Sequence, residues 1–365
     1  MTSTKKKAII CAGLNCLDLQ LIGCTKSGQE EAIEQYDQAV YCAGGSASMA
    51  ATTLAQIDKS RIIHVLTKLG KDRNGELMLE FYKQAGAATD LCFMDESVAT
   101  AMSVLPIFKA DGGRGCFFNL ASNNSFTKEE VIAQLENIDL KETQVDAFLF
   151  GYPHLMPKLQ DENLKSMLEN ARQKLGQGVL IGVDLNGVSA DNHHSGVLSP
   201  ALKEVDVLHL NEEEAEILSG CKKEDLLHAD DKLQLVCDKL HDNGCATVVL
   251  SMGSKGAYLS VSKDCERLTK CSTAIKDHFK PGTSVRVPAF AIESGNINAN
   301  GAGDALFSGF CWAAATQDDL SLEQVGTFAS LVARQRCDVA TRDSPRQSTE
   351  GLLEAVRSGT LPPTL

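Results

Sequence analysis

Short apolar runs rich in β-branched residues recur along the chain, at Ala8 to Ala12, Arg61 to Leu66, Ala147 to Phe150, Val179 to Val183, Val205 to Leu210 and Thr247 to Ser251. They read as near-continuously apolar, so each requires cover on both faces, which a sheet between two layers provides. Longer amphipathic stretches lie between several of them, as at Ala47 to Gln56, Gly75 to Ala85 and Asp161 to Leu175. Strands alternating with helices imply a parallel sheet, and the fold class is α/β.

Two regions break that rhythm. Gln35 to Cys42 and Thr100 to Phe118 carry alternating strand-like segments, the second turning back at Asp111-Gly112-Gly113, a good hairpin turn. With Leu17 to Ile22 they could build a small β-sheet apart from the main one. Lid segments of approximately 15–42 and 98–120 follow, placed to cover a site at the sheet edge. Asp264 to Gly282 is polar and weakly periodic, and reads as a surface insertion without chemistry. The polar tail from Thr341 to Leu365 is expected on the surface. A chain of 365 residues, 43 % hydrophobic, can bury one large core, so residues 1–365 are expected to form a single domain.

A net charge of −13 would repel nucleic acid and anionic membranes at long range, which leaves a small molecule as the expected partner. No run approaches the ~18 consecutive apolar residues of a membrane span. Thirteen cysteines are scattered without a CxxC pair, and the basic N-terminal stretch runs into a short apolar strand with no small-residue cleavage site. Reduced, mostly buried thiols and a cytoplasmic location are expected. The phosphate loop GxxxxGK[ST], a GxGxxG after the first strand, HExxH and the protein-kinase HRD and DFG elements are all missing. Without the dinucleotide loop a dehydrogenase loses its support. Gly44-Gly45-Ser46-Ala47-Ser48 falls short of a GxSxG nucleophile elbow, because Ser48 stands where the second glycine must allow close approach.

The sharpest local signal is Asn298-Ala299-Asn300-Gly301-Ala302-Gly303-Asp304, followed by an apolar helical run from Ala305 to Phe310. A glycine-rich turn opening into a helix leaves the first-turn N–H groups unused and aims the positive dipole end outward, so it can hold an anion. Asp304, in that first turn, could accept the proton of an attacking hydroxyl. The alternative is a tight turn in which Asp304 caps the helix.

In the order and separation of its elements the chain resembles the ribokinase, or PfkB, family of carbohydrate kinases over roughly residues 8 to 340. Gly301-Ala302-Gly303-Asp304 match the end of the family's DTxGAGD motif. Gly44-Gly45-Ser46 and the small-residue helix after them resemble its N-terminal motif. Asn211 to Glu214 is similar to its NxxE element, and Ser251-Met252-Gly253-Ser254-Lys255-Gly256 to its [ST]xGxxG nucleotide loop. The resemblance implies a three-layer α/β/α sandwich with a mostly parallel central sheet and a β-sheet lid. It also implies an ATP-dependent kinase that phosphorylates a hydroxyl of a small sugar or sugar-like metabolite. Asp304 would be the catalytic base, and the amides of Gly301, Ala302 and Gly303 an anion hole. Asn186, Asn211, Ser251, Gly253 and Gly256 would bind the nucleotide, with Asp184 beside Asn186 facing the phosphates. Glu214 would hold Mg²⁺ through water. Asn15, Asp18, Gly44, Gly45, Ser46 and Asn300 would bind the acceptor. For Glu214 a solvated acidic helix start remains open, for Asp184 and Asn186 a helix cap or turn, and for Asp18 a turn into the lid. Of Phe117 and Phe118 only one can close over the acceptor, since adjacent strand residues face opposite ways. A homodimer through exposed lid strands is a further expectation.

Two departures bear on the substrate. Asn298 stands where the family usually has an Asp associated with a monovalent-cation site, so K⁺ activation loses its support. Met49 stands where many sugar kinases place an Asn on an acceptor hydroxyl, and a thioether is only a weak acceptor. Ribose and fructose in their ordinary poses lose support. A nucleoside keeps some, because Asn300 before the Gly resembles the DTNGAGD variant of adenosine kinases. A ligand-binding regulatory protein on the same scaffold is the other alternative, although a pure binder has no use for a general base.

Overall fold

In β1 (Lys6–Gly13) successive side chains enter opposite faces of the sheet: Ile9 and Cys11 join one buried cluster, Ala8, Ile10 and Ala12 the other. β9 (Thr143–Gly151) does the same, with Ala147 and Leu149 on one side and Phe148 and Phe150 on the other. Burial on both faces is what made these segments read as continuous apolar runs. The computed structural model describes residues 5–25, 33–109, 115–186, 188, 197–219, 230–294, 297–338 and 347–365. The expected turn at Asp111-Gly112-Gly113 lies outside them.

The main sheet adds β4 (Ile62–Leu66), β10 (Leu180–Asp184), β11 (Val207–Asn211), β12 (Thr247–Ser251), β13 (Ala257–Val261) and β14 (Ser284–Val287), in the order β14-β13-β12-β11-β10-β9-β1-β4. Every pair from β12 to β4 is parallel, and β13 and β14 add antiparallel at one edge. Helices Ser46–Ile57, Ala302–Thr316 and Leu322–Cys337 cover one face, and Asp161–Leu175 and Asp230–Asp242 the other. From β1 the chain builds outward to β4 on one side and through β9 to β12 on the other. An open α/β sheet forms its binding crevice beyond the carboxyl ends of the strands at such a reversal.

The second sheet has the order β3-β2-β7-β8, from β2 (Cys16–Cys24), β3 (Gln38–Gly44), β7 (Met102–Phe108) and β8 (Phe117–Asn119). Its outer pairs are antiparallel and β2 runs parallel to β7. It is the small separate sheet that was expected to serve as a lid. A third, two-stranded sheet joins β5 (Lys68–Gly70) to β6 (Phe93–Asp95).

Two expectations are corrected. The stretch 264–282 forms short helices Cys265–Thr269 and Thr273–His278, and Leu268, Cys271, Ile275 and Phe279 enter the core. These four are spaced three or four apart, a helical stripe that the intervening polar residues hid. In the tail, helix Thr349–Ser358 buries Leu352, Leu353 and Val356, so that part is core rather than surface.

Candidate active site

The carboxyl ends of four parallel strands meet over one cavity of about 690 Å³: Tyr152 follows β9, Asp184 ends β10, Asn211 ends β11 and Ser251 ends β12. The turn from Asn300 to Asp304 closes the other side. Asn186, Asn211, Glu214, Ser251, Gly253, Gly256, Asn300, Gly301, Ala302, Gly303 and Asp304, drawn from four separate places in the sequence, all line this cavity.

The turn is set by packing. Gly301 has φ +80°, and a Cβ there would lie 2.0 Å from the Met49 methyl and 3.1 Å from Arg336 Nε, so only glycine fits. The helix starts on Gly301 without a side-chain cap. Ala302 N–H donates to Ala299 O, which corrects its place in the expected anion hole. The amides of Gly301, Gly303 and Asp304 remain for that role. Asp304 does not cap the helix: it accepts a hydrogen bond from the Tyr152 hydroxyl at 2.9 Å and is 5 % exposed. Burial first, and then the neighbouring Asp184, push its carboxyl up to about 7. A carboxylate poised there can take a proton near neutral pH.

Behind it, His209 Nδ1 meets Asp184 Oδ1 at 2.5 Å, and His209 Nε2 meets Ser251 Oγ at 3.1 Å. Burial raises Asp184 and lowers His209, so it disfavours the charged form of each partner. His209 also stacks on Phe307 with ring centroids 6.1 Å apart, which seats the helix over the sheet. Asn211 and Glu214 form a reciprocal cap: the Asn211 side-chain oxygen accepts from the Glu213 and Glu214 amides, and Glu214 Oε2 accepts from the Asn211 amide. The cap is what aims Glu214 into the cavity. Burial pushes its carboxyl up to about 7, so it is not a solvated helix start.

Of the expected acceptor residues Asn300 lines the cavity, and Asn15, Asp18, Gly44, Gly45 and Ser46 do not. Asp18 is buried in β2 and accepts from Ser103 Oγ at 2.7 Å. A Cβ on Gly44 would fall 2.2 Å from Asp18 Oδ2, and one on Gly45 2.6 Å from Leu14 O. These glycines make room for protein atoms, Gly44 for the carboxylate itself, rather than for an approaching acceptor. Ser46 packs on Gly151, where a Cβ would lie 1.7 Å from its hydroxyl. Asn15 is corrected from a ligand to a strut: fully buried, its amide donates to Thr67 Oγ1, Lys68 O and Asn123 Oδ1. Side chains alternate along β2, so Cys16, two residues before Asp18, shares its face, whereas Asn15 precedes the strand. Phe117 and Phe118 are both exposed.

Tyr152, His209 and Arg336 escaped sequence reasoning. The first two could have been found by asking which polar side chains stand within or just beyond each apolar strand's carboxyl end. Nothing local marks Arg336, which reaches Met49 Sδ at 3.7 Å across 287 positions.

The pfkB family carbohydrate kinase profile matches residues 6–344, and the chain belongs to that family. Among solved structures it is similar to Arabidopsis thaliana ribokinase complexed with ribose and ATP, at 17 % identity over 97 % of this chain and 99 % of that one, with a TM-score of 0.71. Thermotoga maritima ribokinase matches at 19 % identity over 97 % and 100 %, TM-score 0.64. Xylella fastidiosa fructokinase with bound ATP matches at 17 % identity over 98 % and 100 %, TM-score 0.61. The fold is ribokinase-like. Among the described residues no helix is long and apolar enough to cross a membrane.

Proposed function

We propose that this carbohydrate kinase transfers the γ-phosphoryl group of ATP to a hydroxyl of a small sugar or sugar-like acceptor, with Asp304 as base. The observation that carries the reading is a buried carboxylate tuned to about 7 in the first turn of a helix whose leading amides lack a side-chain cap. Asp304 takes the acceptor's proton as its oxygen attacks the γ-phosphorus, and the bond to the ADP oxygen breaks. The amides of Gly301, Gly303 and Asp304 receive the charge on the phosphoryl oxygens. Asn186, the Asn211 NH₂ group, Ser251, Gly253 and Gly256 would hold the nucleotide.

Mg²⁺ fits these residues. Among the described residues no three His, Cys, Asp or Glu side chains form a metal cage, which suits an ion held chiefly by phosphates and water with one carboxylate, here Glu214. Bound there, it would neutralise phosphate charge beside Asp184, Glu214 and Asp304. Asn298 turns its side-chain oxygen to the Asn300 amide at 3.0 Å and carries no charge, which supports a reaction without a K⁺ requirement.

A nucleoside acceptor is the second reading, favoured by Met49: its thioether packs on the anion turn and offers no hydroxyl partner. A homodimer through the lid belongs to the same proposal, since Tyr41, Leu19, Val104 and Phe117 stand in register across its four strands and Phe117 is 71 % exposed. A sedimenting species of single-chain mass would remove that part. Cys11, Cys237, Cys245 and Cys311 are buried free thiols, which suits a reducing cytoplasm.

The test is ADP release from ATP and Mg²⁺ with a panel of sugars, polyols and nucleosides, the product identified by mass spectrometry. A phosphorylated product names the acceptor class. Tight ATP binding with no turnover across the panel would favour a regulatory binding protein instead.

A further inference from the structure

We propose that Tyr152 is a positioning residue of this site: its hydroxyl holds one oxygen of the Asp304 carboxylate and so presents the other to the acceptor's proton. The inference rests on the reading of Asp304 as the base. Three observations carry it. The Tyr152 hydroxyl donates to Asp304 Oδ1 at 2.9 Å, a bond across 152 positions of sequence. Tyr152 also lines the same cavity as the anion turn, so the bond lies at the site rather than behind it.

The backbone of Tyr152 is the second observation. Its φ of 68° and ψ of 48° are left-handed, a region that bulky side chains rarely enter. Pro153 follows, and a residue before proline is itself held toward extended conformations. Both local preferences are overruled. The fold maintains this geometry by donating Tyr152 N–H to Asp184 O at 2.9 Å, at the end of the neighbouring strand. Strain kept at a cavity wall, in a residue that touches the proposed base, points to a role there.

The third observation is the set of groups around Asp304. Asp184 faces it from β10, His209 from β11 and Arg336 from helix Leu322–Cys337. Asp184 favours the protonated carboxyl, while His209, Arg336 and the Tyr152 hydrogen bond favour the carboxylate. Burial holds the Tyr152 hydroxyl itself well above its ordinary value, so it stays a donor throughout any working range of pH. Asn186 is a further side-chain hydrogen-bond partner of that hydroxyl.

Removing the hydroxyl takes away a bond to the ionised form, so Asp304 must then titrate at higher pH. The test is a ¹³C-carboxylate NMR titration of Asp-labelled protein, the resonance identified by its loss in Asp304→Asn. In Tyr152→Phe the Asp304 midpoint should rise by about half a unit or more. The acid limb of kcat/KM should move up with it. At its new optimum kcat should stay roughly tenfold low, because the carboxylate is no longer held, with KM for ATP unchanged. Tyr152→Gly removes the hydroxyl and relieves the left-handed backbone, and should show the same titration shift if Tyr152→Phe does not fold. An unmoved Asp304 midpoint in both variants overturns the proposal, as does a shifted midpoint with undiminished kcat. If Asp304→Asn keeps full turnover, the base assignment fails instead, and the titration shift remains as its own result.

Discussion

The proposed nucleotide half of the site and its proposed acceptor half are built by different means. Around the 690 Å³ cavity the working groups stand at or just past the ends of parallel strands or in the first turn of a helix, so the sheet's topology alone gathers them. In the lid, Asp18 sits within a strand, and its placement depends on pairing with β7 and on the space left by Gly44. A site at strand ends tolerates small errors in reading sequence. A site inside a strand does not, because one residue of offset turns a side chain to the other face.

The comparison is broken most severely at Asp304. Asp304→Asn should lower kcat by roughly 10²-fold or more while ATP still binds, measured by ADP release and calorimetry. It should also raise stability above neutral pH. Asp304 titrates near 7 when folded and near 3.8 when unfolded, so the folded state holds the extra proton between those values and loses stability as pH rises through them. Removing the ionisable group removes that loss, by about 1 kcal/mol or more near pH 8 and nothing near pH 3, as thermal unfolding would show. Equal kcat in the two proteins would dissolve the nucleotide half as described.

The acceptor half has its counterpart in Gly44→Ala, whose Cβ would displace the Asp18 carboxylate. Acceptor kcat/KM should fall about 10²-fold with KM for ATP unchanged, and a loss confined to ATP would reverse the division between halves. Glu214→Gln should raise the Mg²⁺ concentration for half-maximal rate roughly tenfold, the scale of a group acting on a metal through its surroundings. The smallest effect on turnover is expected at Asn15→Ala. Acceptor KM should hold while stability drops by about 1–3 kcal/mol, since Asn123 and Thr67 lose a buried partner. A large rise in acceptor KM would restore Asn15 to the acceptor site.

Much of the cavity's lining was legible in the sequence. Gly301 to Asp304 required only that a glycine turn open into a helix, and Asn211 with Glu214 only a cap spacing of three, so both motifs carry their geometry locally. Asn15 was misread because the chain near Asp18 offers polar candidates at neighbouring positions, and only the pairing of β2 decides which shares its face. The stretch 264–282 was misread because four core residues are diluted among charged ones.

By itself the sequence determined the α/β class, the separate small sheet and the glycine turn that opens the helix at Asp304. Each of these follows from periodicity or from the conformational limits of glycine, which act over a few residues. The tertiary structure alone decided that Tyr152 bonds Asp304, that Asp184 meets His209, and that Arg336 and Met49 pack on Gly301. Those contacts join positions 25 to 287 residues apart, and only the packing of helices on a twisted parallel sheet brings them within reach.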